Sequence, residues 1–163
     1  MNIFVTVGMS RWPFDRLLNA LLPLCDSHHV FAQVGVSEVK LPCSTSPFLP
    51  QLDLLSRMEK ADIVITHAGN TVRLVQRMQK VPITMAREHA RGEMADDHQV
   101  KYLRYEQDHG RVVALWNGAD LPMLVENHRE TQSQMLMTRE LPPKVSGERL
   151  ADILNGLCAQ WVK

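Results

Sequence analysis

Apolar residues gather in short unbroken runs, and most runs end in a small polar turn that leads into a stretch with helical spacing. The first run, residues 3–7, is rich in β-branched side chains and is closed by Gly8. Pro13 then opens a segment in which Phe14, Leu17, Leu18, Leu21 and Leu22 fall on one helical face. A second run over 29–34 ends at Gly35, followed by a Ser- and Pro-rich loop over 37–50, long enough to be functional or mobile. The pattern goes on with a short helix over 52–60, a strand over 61–66, a helix over 70–79 and a strand over 81–86. A polar loop over 87–93, a helix over 94–109, a turn at Gly110 and a strand over 112–116 come next. A further helix starts near Ala119, and a stripe of Leu150, Ile153, Leu154, Leu157 and Trp161 predicts a last helix over about 147–162.

Strands that are continuously apolar, rather than alternating, are buried on both faces, as in a parallel sheet. Their alternation with helices predicts βαβ units with right-handed crossovers. The fold class that follows is α/β: a doubly wound, Rossmann-like, mainly parallel sheet with helices on both faces. In such sheets the ligand crevice lies beyond the carboxyl ends of the strands. The polar turns after Val7, Val34, Ile65 and Met85 are therefore expected to face one site.

With 163 residues, 45% of them apolar, the chain is expected to form one domain over 1–163. Eighteen Lys and Arg balance eighteen Asp and Glu, so no bulk field argues for nucleic acid as a partner. Cys25, Cys43 and Cys158 show neither metal-like nor redox-like spacing and fit a reduced, cytoplasmic setting. The first residues lack a basic segment followed by a long apolar one, and no apolar run approaches about 18 residues, so neither a signal peptide nor a membrane span is expected.

The chemistry concentrates in "ADIVITHAGNTV", a buried strand that turns at once into a helix. A helix starting at Asn70 or Thr71 presents unpaired backbone N–H groups and a positive dipole end, and Gly69 would let a ligand approach the backbone. That combination suits a phosphate, to which Thr71 adds a hydroxyl and Arg73 and Arg77 add charge. The same residues also fit a plain helix cap with solvated arginines. Neither Gly-x-x-x-x-Gly-Lys-Ser/Thr nor Gly-x-Gly-x-x-Gly occurs, which disfavours Walker-type phosphoryl transfer and a dinucleotide dehydrogenase.

"FVTVG" with "PFDRLL", then "AQVG", "ADIVITHAGNTV", "VPITMAR" and "DHQVKYLRYEQDHGRVVAL" occur in this order over residues 3–115. In that order they resemble the C-terminal, donor-binding domain of family 28 glycosyltransferases, in particular the small stand-alone subunits of two-component enzymes. The resemblance implies one half of a GT-B architecture that binds a UDP-sugar, while a membrane-associated partner brings a lipid-linked or other glycan acceptor. It implies that the Gly69, Asn70 and Thr71 turn cradles the diphosphate, that His98 and Gln99 lie beside the donor sugar and phosphates, and that His67 contacts the ligand; Gly8, Arg73 and Arg87 complete the expected substrate contacts. No tightly held metal and no cofactor are expected. The C-terminal stripe could dock the partner, and a homo-oligomer stays open.

The family pattern His-Ala-Gly-x-Gly-Thr-x-x-Glu is broken. One residue is missing before the threonine, and the positions that should carry the ribose-gripping glutamate are Leu74 or Val75. Arg73 is expected to compensate by gripping the diphosphate or an acidic sugar such as a uronic acid. For the base that inverting transfer needs, His67, Glu88 and Asp15 are the candidates. Glu93, Asp96, Asp97 and His98 lack a crisp metal-ligand motif; Asp96 or Asp97 is expected to cap the following helix instead. The alternative is a non-catalytic nucleotide- or phosphosugar-binding module of the same fold, or an interaction protein that kept the sheet and lost the site.

Overall fold

A computed structural model describes residues 1–138. The predicted helix over 147–162 lies outside them. The strands are β1 (Asn2–Thr6), β2 (His29–Gln33), β3 (Ser44–Ser46), β4 (Ile63–His67), β5 (Ile83–Met85) and β6 (Val113–Ala114). All pair in parallel, in the order β3-β2-β1-β4-β5-β6. This is the doubly wound α/β sheet expected from the sequence, with its strand order reversing between β1 and β4.

Helices cover both faces. Ile3, Val5 and Val7 point to one side, where Phe14, Leu17 and Leu18 bury around α1 (Asp15–Ala20), with Leu24 of α2 (Leu22–Cys25) and Leu121 and Val125 of α6 (Leu121–Glu126). Phe4 and Val64 point to the other side, against Met58 of α3 (Gln51–Lys60) and Val75 of α4 (Asn70–Arg77). Leu103 of α5 (His98–Asp108) extends that layer with Val72 and Ala86. Burying a Leu or Phe side chain is worth about 1.5–3 kcal/mol each, so the two layers supply most of the driving force. Finally α7 (His128–Thr138) returns to the sheet, where His128 Nε2 bonds the Val81 carbonyl at 2.8 Å.

Three expectations change. The loop over 37–50 contains a sixth strand, β3, whose polar sequence Ser44-Thr45-Ser46 has no apolar signature because it is an edge strand, exposed at Ser44 and Thr45. The helix predicted from Pro13 through Leu22 breaks in two at Leu21. Pro23 has no N–H to continue the ladder, and Leu22 turns 42% of its surface to solvent instead of packing. The helix predicted over 94–109 starts only at His98, because the loop before it makes a 3₁₀ turn (His89–Arg91) and then a left-handed glycine, Gly92.

Candidate functional site

The turns after β1 and β4 meet at the point where the strand order reverses, the usual crevice of an open α/β sheet. Beneath them the last strand residues form a buried polar row. Gln33, Thr6, Thr66 and Thr84 stand side by side in register on β2, β1, β4 and β5. Thr6 donates its hydroxyl to Gln33 and accepts the Gly8 amide at 3.2 Å; Thr66 donates to the Thr6 carbonyl at 3.1 Å. The row locks the β1 turn onto its neighbours. Its signal was present in the sequence, since "FVTVG", "FAQVG" and "VITHAG" each place a polar residue, Thr6, Gln33 and Thr66, near the end of an apolar run.

Above the row sits the imidazole of His67, wedged between two glycines. A Cβ on Gly8 would come within 2.6 Å of its Cε1, and a Cβ on Gly69 within 2.4 Å of its Nε2. Gly8 also has φ +78°, which favours glycine in its own right. Gly69 does not: its φ of −132° and ψ of −164° are open to any residue. Gly69 therefore has a reason to lack a side chain besides the approach of a ligand: the ring of His67 already occupies the space a side chain there would need.

Burial first, and the nearby Arg87 cation second, push the His67 pKa down to about 4. The ring is neutral at physiological pH. The Thr66 hydroxyl already donates to the Thr6 carbonyl, so Nδ1, 3.4 Å away, is the ring's donor; Nε2, facing the Gly69 turn, is left to accept a ligand hydroxyl and to act as a weak general base.

Beside His67, α4 begins. Gly69 caps it without any side-chain hydrogen bond, its carbonyl takes the Val72 amide at 3.0 Å, and its own amide turns back to the His67 carbonyl at 2.8 Å. The amides of Asn70 and Thr71 come too early in the helix for an i−4 acceptor, and they lie at its positive end. Asn70 is exposed and Thr71 half-buried. Gly8, His67, Gly69, Asn70 and Thr71 are thus brought together.

The other expected contacts have different engagements. Arg73 pairs with the fully buried Glu106 at 2.9 Å, and Gln76 donates to the same carboxylate at 2.8 Å, so this guanidinium ties α4 to α5 and is not a spare charge for an acidic sugar. Arg87 is 1% exposed; its guanidinium donates to the carbonyls of Val7, Trp12, Pro13 and Glu93 and lies 4.5 Å from the Phe14 ring. Burial pulls its pKa down to about 10, which leaves it charged at neutral pH. It acts on the β1 turn from below. The Gln99 side chain accepts the Arg87 amide at 3.2 Å. His98 is exposed on the first turn of α5 and pairs with Asp96.

Glu88 pairs with Arg16 at 3.2 Å and Arg91 at 2.9 Å, and Asp15 is exposed on the first turn of α1. Glu93, missed as a structural hub, holds Arg16 through both oxygens at 3.0 and 2.8 Å and takes the Glu88 amide at 3.0 Å. Asp96 accepts the His98 amide and Asp97 the His89 amide. Among the described residues, no three His, Cys, Asp or Glu side chains are grouped to hold a metal ion.

No family model and no curated protein matches the sequence. Solved structures do. The chain superposes with CalG4, the calicheamicin glycosyltransferase, over 99% of its length and 44% of that chain (TM-score 0.68, 14% identity). MurG of Acinetobacter baumannii is similar over 96% of this chain and 52% of its own (TM-score 0.67, 18% identity). The spinosyn forosaminyltransferase SpnP is similar over 98% and 44% (TM-score 0.67, 15% identity). The chain has the fold found in these glycosyltransferases and spans about half of their length, consistent with one half of a GT-B architecture.

Proposed function

We propose that the chain is the donor-binding half of an inverting, family 28-like glycosyltransferase that takes a UDP-sugar and works with a second, membrane-associated protein supplying a lipid-linked or other glycan acceptor. The observation that carries this is the site at the strand-order reversal. There two glycine turns close on a neutral imidazole at the positive end of α4, within a fold shared with glycosyltransferases. In this reading the diphosphate rests on the Asn70 and Thr71 amides and the Thr71 hydroxyl, while His67 Nε2 accepts a hydroxyl of the donor beside them. The buried Arg87 holds the β1 turn in place and adds a fixed positive charge beneath the site. Donors preorganised where negative charge develops on departing UDP lower the barrier most effectively in a partly dehydrated crevice.

The second reading, a non-catalytic nucleotide-binding module, is favoured by one specific observation. Leu74 or Val75 stands where a ribose-gripping carboxylate would be, and Arg73, which could have compensated, is engaged by Glu106. Calorimetry with UDP and with uridine tests what the two readings share: UDP binds and uridine binds at least tenfold more weakly, because the diphosphate is the anchor. Equal affinities would defeat both. Transfer assays with the co-expressed partner then separate them, since only the first reading predicts product.

A further inference from the structure

A groove of about 650 Å³ opens on the same sheet edge, beyond β5 and β6, where α1 meets the segment Trp116–Ala119. The Arg16–Glu93 pair and the buried Arg87 stand between it and the His67 turn. One wall is Trp116, 41% exposed, whose indole does not swing freely. Its N–H donates to Gln107 at 2.9 Å, and Arg104 lies 5.8 Å from the ring. The floor is shaped by close backbone approach: a Cβ on Gly118 would lie 3.1 Å from the Ala20 methyl. Around the rim stand Asn19, Asn117, Arg16 and Arg91. Asn117 uses its oxygen to accept the Ala119 amide, which leaves its NH₂ group to face a ligand.

The charges bear on the class of ligand. Arg16 and Arg91 are the cations that line the groove, and the carboxylates of Glu88 and Glu93 pair with both, so neither is free to hold an anion; Arg104 lies at the Trp116 ring outside that lining. An anion gains little there. A fixed, half-exposed aromatic plane facing amide and guanidinium donors fits a ring with apolar C–H faces and hydroxyls around its edge. We propose that this groove is a binding subsite for a neutral saccharide, separate from the Gly69 turn. It stands whether or not a nucleotide binds at that turn.

The full chain, labelled with ¹⁵N, is titrated separately with maltotriose, cellotriose and chitotriose, following the indole N–H resonance that disappears in Trp116→Phe. The expected result is a saturable shift with at least one of them, weakened about tenfold in Trp116→Ala, which is about 1.4 kcal/mol of binding, and weakened also in Asn19→Ala. Both side chains lie at the surface, so the variants should fold, and thermal melts check this. UDP affinity should be unchanged in both variants, and Gly69→Ala should leave the saccharide titration unchanged. No saturable shift with any of the three sugars at tens of millimolar, an undiminished shift in Trp116→Ala, or tighter binding of an oligoglucuronate than of its neutral counterpart would overturn the proposal.

Discussion

Position 69 is glycine because of an imidazole two residues earlier. Its own dihedrals would accept alanine, but a methyl group would press into His67 at 2.4 Å. Gly69→Ala is therefore predicted to cost on the order of 1–3 kcal/mol as an overpacked site. In a His67→Ala background the same substitution should cost under about 1 kcal/mol, because the two sites are coupled. Urea denaturation of the four proteins checks this, and equal costs in both backgrounds would show that the ring is not the obstacle.

His67 also makes stability depend on pH. Its pKa falls from an ordinary 6.5 to about 4 in the folded chain, so between those values the unfolded chain binds a proton that the folded chain refuses. The contribution is fully present above about pH 6.5 and is lost as pH falls towards 4, on the order of 3 kcal/mol in all. His128, shifted downward by burial, acts in the same direction. His67→Gln should flatten the fall in urea midpoint between pH 7 and 4.5; an unchanged slope would mean the ring is not dehydrated. Arg87→Met removes a buried cation from four carbonyls and should destabilise by about 3–5 kcal/mol, whereas an exposed Arg87 would make the change nearly silent in the same experiment.

Among the elements, α4 and α5 are joined by a polar contact inside an apolar layer. Glu106, fully buried, receives Arg73 and Gln76, and Gln76 also reaches the Arg111 carbonyl at 3.3 Å. Glu106→Ala should cost about 2–4 kcal/mol by leaving both partners uncompensated, discounted because Arg73 is partly exposed. A cost below about 0.5 kcal/mol would show that Arg73 is free. The elements themselves were legible where burial forces the composition: β1, β2, β4 and β5 are apolar because both faces are covered. Ser44–Ser46 was not, since an edge strand needs no apolar face. The turn at Gly69 could be read from a strand running into a helix start, but the direction of the Arg73 and Arg87 guanidinium groups could not. Apart from the Glu93 carbonyl, their partners described above, Glu106 and the Val7, Trp12 and Pro13 carbonyls, lie 33 or more residues away in the chain, and no local pattern encodes them. Cys25 and Cys43 illustrate the same point: eighteen positions apart, they pack against the same core, and burial first and Cys43 second push the Cys25 thiol up to about 12.

For the whole molecule, the chain matches about half of each solved glycosyltransferase it resembles, while its sheet presents the His67 turn at the strand ends. No helix among the described residues is long and apolar enough to cross a membrane. If a second protein completes the enzyme, transfer activity should require both, and nucleotide binding should require this chain alone. The most direct test of that division is a UDP titration of the isolated chain followed through backbone amide resonances. Saturable shifts centred on Gly8, Gly69, Asn70 and Thr71, lost in His67→Ala, are predicted; binding that leaves those four amides unmoved, or no binding at all, would contradict the diphosphate site.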